Sequence, residues 1–348
     1  MAKGAGGDPT EVRQRDRGVA PLVSVVVPAY NCAPFIGETV SSVYQQTYRN
    51  WEVIVIDDGS TDETKGALAP HMGRIRYVHQ QNRGTAAARN EGVRHARGEL
   101  IAFLDHDDVW LPEKLDFQVR VMGKSSDCGL VFTDGKMFTA DGIRRESALS
   151  GRLDQWIDAH PTEDLFVVAG NILRNLLFCN EIVSASSVMV RRECLERVGG
   201  FDEGIAIADD HDLWLRIARQ YTVALIRRCL YMWRWHDGSQ SGPIRDRMQG
   251  WTEASLVVQE KHLPHAPPDV RRPLRAQMAK QYWECARFYF DRNQFRQSRK
   301  MLIGCIRHDK IFLPAMAFFI AAHLNPSIVE GLRRLKRGMG MRRRVAGR

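Results

Sequence analysis

The stretch Leu100-Ile101-Ala102-Phe103-Leu104-Asp105-His106-Asp107-Asp108 decides how this chain is read. Five apolar residues run without a break into three carboxylates, and Val109-Trp110-Leu111-Pro112 closes the segment. A short continuous apolar run between polar flanks reads as a strand buried on both faces of a parallel sheet. Carboxylates at the carboxyl end of such a strand stand where open α/β sheets place their ligands. Asp105 and Asp107 are two residues apart, so on a continuing strand both point to one face. A pair of hard anionic oxygens suits Mg²⁺ or Mn²⁺, with waters and phosphate oxygens completing the shell. The same residues admit a plainer reading, in which Asp108 caps a helix that starts near Pro112.

Upstream, the pattern repeats. Leu22 to Val27 is a β-branched run that reads as a first buried strand, ended by Pro28-Ala29-Tyr30-Asn31. Pro34 then opens a helix with Ile36, Val40, Val43 and Tyr44 on one stripe. Trp51 to Ile56 is a second strand, running into Asp57-Asp58-Gly59-Ser60. Ser60 and Glu63 have the spacing of a capping box, so another helix is expected there. Ile75 to His79 is a third strand, and Gln81-Asn82-Arg83-Gly84 turns into a helix ending near Gly98. Four strand–helix units in about a hundred residues predict an α/β fold with a mostly parallel, doubly wound sheet.

Downstream the alternation loosens. Strands are expected at Gly129–Phe132, Glu181–Val190 and Thr222–Trp235, and a helix at Asp209–Gln220 with Leu213 and Ile217 buried. From about residue 246 the chain reads as helical, through Gln277–Ala286, Gln294–Ile306 and Ile311–Leu324. We therefore expect a disordered N-terminus over 1–20, a ligand-binding domain over 21–245, a C-terminal helical extension over 246–324 and a basic tail over 325–348.

The 348 residues carry a net charge of +9, concentrated at the end. Arg333, Arg334, Lys336, Arg337, Arg342, Arg343, Arg344 and Arg348 follow one another with no acid among them. Such a tail suits an anionic surface, a lipid leaflet or nucleic acid, and equally a solvated end. Seven scattered cysteines without a C-x-x-C pair suggest reduced thiols and a cytoplasmic protein. No apolar run approaches the length of a membrane span.

Two further acidic clusters matter. Asp57-Asp58 ends the second strand on the same sheet edge, where a carboxylate can accept from ribose or base; as turn chemistry, Asp-Gly-Ser is also ordinary. Ala208-Asp209-Asp210-His211-Asp212 sits at a helix start, where capping alone would explain the aspartates. Neither G-x-G-x-x-G nor G-x-x-x-x-G-K-[ST] occurs, so phosphates would be handled by metal and basic groups. Tyr231-x-Trp233-Arg234-Trp235-His236-x-Gly238-Ser239 is an aromatic, basic strand end, suited to packing or to closing over a charged ligand.

Taken together, these residues resemble the family 2 glycosyltransferases, whose nucleotide-sugar domain has the A-type fold. The resemblance rests on Val25-Val26-Val27-Pro28-Ala29-Tyr30-Asn31, Val55-Ile56-Asp57-Asp58-Gly59-Ser60-Thr61-Asp62, Asn82-x-Gly84, Ala88-Arg89-Asn90-x-Gly92, Phe103-Leu104-Asp105-His106-Asp107-Asp108 and Asp209-Asp210-His211-Asp212-Leu213-Trp214-Leu215-Arg216. They occur in family order over roughly residues 22–240. The resemblance implies that Pro28, Tyr30 and Asp58 line a nucleoside pocket. It further implies that Asp105 and Asp107 form the metal and diphosphate motif, with Asp107 the direct ligand, that Arg89 approaches the nucleotide, and that Asp210 is the catalytic base. Asp209 stands where the family often has Glu, and His211 where Tyr is common. The Gln-x-x-Arg-Trp motif of processive synthases is absent.

The expected activity is an inverting, metal-dependent, non-processive transfer of a sugar from a nucleotide diphosphate sugar to an acceptor hydroxyl, with Mg²⁺ or Mn²⁺ as cofactor. His236 is a further candidate for contact with the diphosphate. A glycan or lipid-linked acceptor is expected, with the C-terminal region touching the anionic inner face of the cell membrane and no nucleic acid partner. The rival readings are a sugar-1-phosphate nucleotidyltransferase, which would favour a Gly-rich basic loop after the first strand, and a non-catalytic sugar-nucleotide binding module.

Overall fold

In the computed structural model the described residues are 20–149, 165–168, 172–239 and 245–309. The first half is the expected alternation: β1 (Val23–Ala29), α1 (Ile36–Tyr44), β2 (Trp51–Asp57), the short α2 (Thr64–Ala67), β3 (Arg76–His79), α3 (Thr85–His95) and β4 (Leu100–Phe103). The strands β3-β2-β1-β4 lie side by side and all run parallel. The chain builds outward from β1 in one direction and then resumes on its other side with β4. That reversal leaves a crevice at the carboxyl ends of β1 and β4, where Tyr30 and Asp105 emerge.

Beyond β4 the sheet is mixed rather than mostly parallel. β9 (Met189–Arg191) runs antiparallel between β4 and β6 (Cys128–Thr139), and β10 (Thr222–Arg234) pairs parallel with β6. β5 (Val109–Trp110) and β8 (Leu165–Val168) add antiparallel to β10, and β7 (Gly142–Arg145) to β6. The strand expected at Glu181–Val190 is a single 3₁₀ turn over Ala185–Ser187, leaving only β9 as strand. Its serine hydroxyls are buried in tertiary hydrogen bonds, which a local apolar pattern does not reveal.

Two hydrophobic cores sandwich this sheet, and they alternate residue by residue along the strands. Val26, Ile54, Ile56, Ile101 and Phe103 face one way; Val25, Val27, Val53, Val55, Leu100 and Ala102 face the other. The second face is covered by α1 and by α4 (Lys114–Lys124). The first carries α3, α5 (Ile172–Phe178), α6 (Arg192–Val198), α7 (Asp209–Ala218), α8 (Arg245–His262), α9 (Pro268–Asp291) and α10 (Phe295–His308). The helical extension thus shares one core with the sheet. Ile311–Leu324 and the basic tail lie outside the described residues.

Several local expectations need correcting. No capping box forms at Ser60: Asp62 Oδ1 accepts from the Thr64 N–H at 3.0 Å, and Ser60 Oγ accepts from Asn31 N–H at 3.0 Å. Asp108 caps nothing, because α4 begins at Lys114 after Glu113. α3 needs its glycine: a Cβ on Gly92 would come within 2.2 Å of Val26 Cγ1, so helix and strand touch backbone to side chain there.

Candidate active site

A cavity of about 670 Å³ opens at the crevice between β1 and β4. The residues expected to bind donor, hold metal or act as base all line it: Pro28, Tyr30, Asp58, Arg89, Asp105, Asp107, Asp210 and His236. The sheet collects them because Pro28 and Tyr30 sit at the end of β1, Asp58, Asp105, Asp107 and His236 follow β2, β4 and β10, and Arg89 and Asp210 lie near the starts of α3 and α7.

At one end, Tyr30 is 45% exposed beside Pro28. Asp58 is buried, and its carboxylate accepts from Gln80 Nε2 at 2.7 Å, Arg83 N–H at 2.9 Å and Gly84 N–H at 2.8 Å. Three bonds to one carboxylate hold the loop that leads into α3. Asp58 therefore shapes this end as much as it faces a ligand.

In the middle, Arg89 does something the sequence does not suggest. Its guanidinium donates to Asp105 Oδ1 at 2.8 Å and to Asp209 Oδ2 at 3.0 Å, and it stacks against Phe201. Burial works against its charge, but Asp105, Asp209 and Asp210 hold its pKa above the ordinary arginine value. Arg89 is thus a bridge between two acidic clusters, with both terminal nitrogens committed.

Asp107 faces His236, with Nε2 3.1 Å from Asp107 Oδ2. The Gly238 N–H donates to His236 Nδ1 at 3.2 Å, so Nε2 carries the proton toward Asp107. Asp108 is buried between them and the strand: its Oδ1 accepts from the Arg234 N–H at 3.0 Å and its Oδ2 from Ser184 Oγ at 3.2 Å. Burial, then the charges of Asp107 and Asp105, push its pKa well up, favouring the protonated acid. Arg234 completes the joint by donating Nε to the Asp107 carbonyl at 2.8 Å while stacking on Phe35 and Phe138. These contacts clamp the end of β10, and so His236, against the acidic motif.

At the far side, Asp209 and Asp210 open α7. The residue before them, Ala208, has a left-handed backbone (φ 66°), and no side chain caps the helix. A non-glycine residue in that region is strained, and such strain recurs where side chains must be aimed. The capping explanation of these aspartates therefore fails. Burial and the neighbouring Asp209 charge push the Asp210 pKa up to about 7, against the opposing pull of Arg89. His211 and Asp212 turn away from the cavity. His211 Nε2 meets the Leu176 carbonyl at 2.6 Å, and burial drives its pKa down to about 4. Asp212 pairs with Arg216 at 2.9 Å, Lys261 at 2.7 Å and His262 at 2.8 Å.

Sequence reasoning gives no role to Ser184, Ser186, Trp251 or Asn90, although Asn90 stands in one of the motifs quoted above. Ser186 Oγ accepts from the Asp105 N–H at 2.9 Å, and Asn90 grips Phe201 through two bonds at 2.8 and 2.9 Å, fixing the loop before Asp209. The motif that holds Arg89 is the signal for Asn90; nothing local marks the serines. Among the described residues, no group of three or more His, Cys, Asp or Glu side chains is arranged to hold a metal ion by itself.

An acid-lined cleft at the reversal of a mixed α/β sheet is the architecture of A-type glycosyltransferases. The structure of Staphylococcus aureus TarS 1–349 in complex with UDP-GlcNAc superposes with a TM-score of 0.57 at 18% identity, covering 90% of this chain and 91% of that one. In sequence, the profile of glycosyl transferase family 2 matches residues 24–173. TuaG of Bacillus subtilis, whose name assigns it to teichuronic acid biosynthesis, is 33% identical over 219 residues, 62% of this chain and 79% of its own. The Escherichia coli glucosyltransferase WfgD is 31% identical over 207 residues, 59% of this chain and 73% of its own. Two longer uncharacterized glycosyltransferases of Rickettsia felis and Rickettsia bellii are matched over only 36% and 31% of their length.

The chain belongs to family 2 of the glycosyltransferases. It is a transferase, and the nucleotidyltransferase and binding-module readings give way. No helix among the described residues is long and apolar enough to cross a membrane.

Proposed function

We propose that the protein is an inverting, non-processive glycosyltransferase that moves one sugar from a nucleoside diphosphate sugar to a hydroxyl of a glycan or lipid-linked acceptor, with a divalent cation. One observation carries this reading: the charge of the cavity. Asp58, Asp105, Asp107, Asp209 and Asp210 line it beside Asp108, whose pKa is raised, and the one arginine among the described lining residues, Arg89, is already committed to two of them. A diphosphate entering such a site meets repulsion unless a cation accompanies it. The residues fit that need. Asp107 would hold Mg²⁺ or Mn²⁺ directly, Asp105 through the oxygen not taken by Arg89, and the diphosphate would complete the shell. When bound, the ion would neutralise charge gathering on the leaving diphosphate.

The protein's own groups account for the rest. Pro28, Tyr30 and Asp58 receive the nucleoside, the exposed ring offering a face for the base. His236 steadies Asp107 and lies within reach of the diphosphate side. Asp210 takes the proton of the acceptor hydroxyl as its oxygen attacks the anomeric carbon; the bond from that carbon to the diphosphate oxygen breaks, and configuration inverts. A carboxylate poised near pH 7 is a competent base for this step. WfgD, by its name, uses UDP-Glc and a diphosphoundecaprenol-linked GlcNAc, which supports a lipid-linked acceptor here. The basic stretch Arg333–Arg348 supports peripheral contact with an anionic leaflet.

The test is calorimetric titration of UDP and GDP with Mn²⁺ or with EDTA, on wild type, Asp107→Asn and His236→Ala. We expect one nucleotide to bind, metal-dependently, with the dependence lost in Asp107→Asn. His236→Ala should weaken metal-supported binding by about 10–100-fold, as removal of a group that orients a ligand does. Equal affinity with and without metal would remove the cation from the scheme.

A further inference from the structure

Three residues that line the same cavity as Asp210, namely Asn180, Val183 and Trp251, have no part in donor binding as proposed. Asn180 and Val183 lie between α5 and the Ala185–Ser187 turn, whereas Trp251 comes from α8, in the helical region. Trp251 is half-buried, resting on the sheet's first core while also lining the cavity. Its neighbour Gly250 stands against Ile207: a Cβ there would meet Ile207 Cδ1 at 4.0 Å. The start of α8 therefore leans on the loop that delivers the Asp209–Asp210 pair.

Their chemistry differs from that of the acids lining the same cavity. Val183 is 37% exposed, an apolar side chain kept at the surface of a cleft. Asn180 turns its Oδ1 to the Ile182 N–H at 3.2 Å, which leaves its amide N–H groups as donors. Apart from Arg89, no lysine or arginine among the described residues lines the cavity. An aromatic ring, an aliphatic edge and one amide form a surface for an uncharged ring with an apolar face and hydroxyl rim. A phosphate or carboxylate would meet no uncommitted lysine or arginine among the described lining residues.

Resting on the transferase reading above, we propose that Asn180, Val183 and Trp251 form the acceptor subsite, and that it takes a neutral pyranose ring. Trp251 is the platform on which that ring stacks, with one hydroxyl presented to Asp210. The helical region is then a functional wall of the active site and sets acceptor choice.

Methyl glycosides of the common hexoses and N-acetylhexosamines are the probes, observed by saturation-transfer NMR with and without UDP and Mn²⁺. At least one should receive saturation from the wild-type protein. Trp251→Ala should weaken its binding by about tenfold or more, the size of one aromatic contact. Trp251→Phe should restore part of it, and Val183→Lys, at an exposed position, should block it without a change in melting temperature. UDP titration of the same variants reports the donor end separately. Failure of every glycoside to bind wild type, or binding to Trp251→Ala as tight as to wild type, would overturn the subsite. If glycosides behave as expected while UDP binds equally with and without metal, the donor reading fails and the subsite stands.

Discussion

Arg89 Nη1 and Asp209 Oδ2 meet 3.0 Å apart, both side chains buried, across 120 residues of sequence. With Asp105 on the other nitrogen, this pair ties the acids after β4 to those that open α7. It also makes the environment of Asp210 depend on a cation that never needs to touch substrate.

Arg89→Lys should therefore act on pH dependence as well as on stability. A lysine is a point donor and cannot bridge two carboxylates as a guanidinium does. Arg89 holds the Asp210 pKa down, so weakening it should move that pKa above about 7. The acid limb of kcat/KM should shift to higher pH, and Tm should fall. A limb unmoved from that of wild type would separate Arg89 from the base.

Asp210→Asn should lower kcat by about 10²–10⁴-fold, the usual loss for a positioned general base. Its effect on stability should have the opposite sign at high pH. The folded pKa of about 7 exceeds the usual carboxylate value of about 4, so the native state holds more protons between them. Stability from this group is present below about pH 4 and lost as pH rises through about 7. Asn removes that loss, so the variant should melt at or above wild type at pH 8 and match it near pH 4. Transfer within a few-fold of wild type would sink the base assignment.

Asp212→Asn should behave the other way round, with turnover retained and Tm lowered. Burial raises the Asp212 pKa, but His262, Lys261 and Arg216 outweigh it and hold the group well below the carboxylate range. Breaking a buried ionic cluster costs about 3–5 kcal/mol, and half-exposed Lys261 puts the expectation at the lower end. A depressed pKa stabilises above about pH 4 and is lost on acidification, so the Tm gap should close as pH drops below that value. Circular-dichroism melts at pH 3 and pH 8 check this.

Deletion of residues 325–348 should spare transfer to a soluble acceptor and weaken binding to anionic vesicles. Each basic residue near such a leaflet is worth about 1 kcal/mol. Co-sedimentation as strong as that of the full chain would show that the tail is not the contact.

The donor half of this site is legible in sequence because each of its residues follows a strand whose apolar run is visible. Asp58, Asp105 and Asp107 are found that way, and His236 by the aromatic strand that ends beside it. What is hidden depends on partners distant in the chain. Asp108 looks like a helix cap until the Arg234 N–H arrives from β10, 126 residues away. Arg89 reads in sequence as a residue that approaches the nucleotide, and nothing local shows that it also bonds Asp105 and Asp209. The serines of 184–187 read as a strand because their hydroxyl bonds to the acidic motif have no local signature. Trp251 is concealed among helices whose apolar pattern explains it as packing.

The unbroken core from Val26 in β1 to Cys305 in α10 bears on how such enzymes can be recombined. A graft that exchanged only the helices, in order to transplant acceptor preference, would cut through packed interior rather than a linker. The natural unit of exchange begins upstream, with α5 to α7, so that the platform travels together with the loop it leans on and the base beside it.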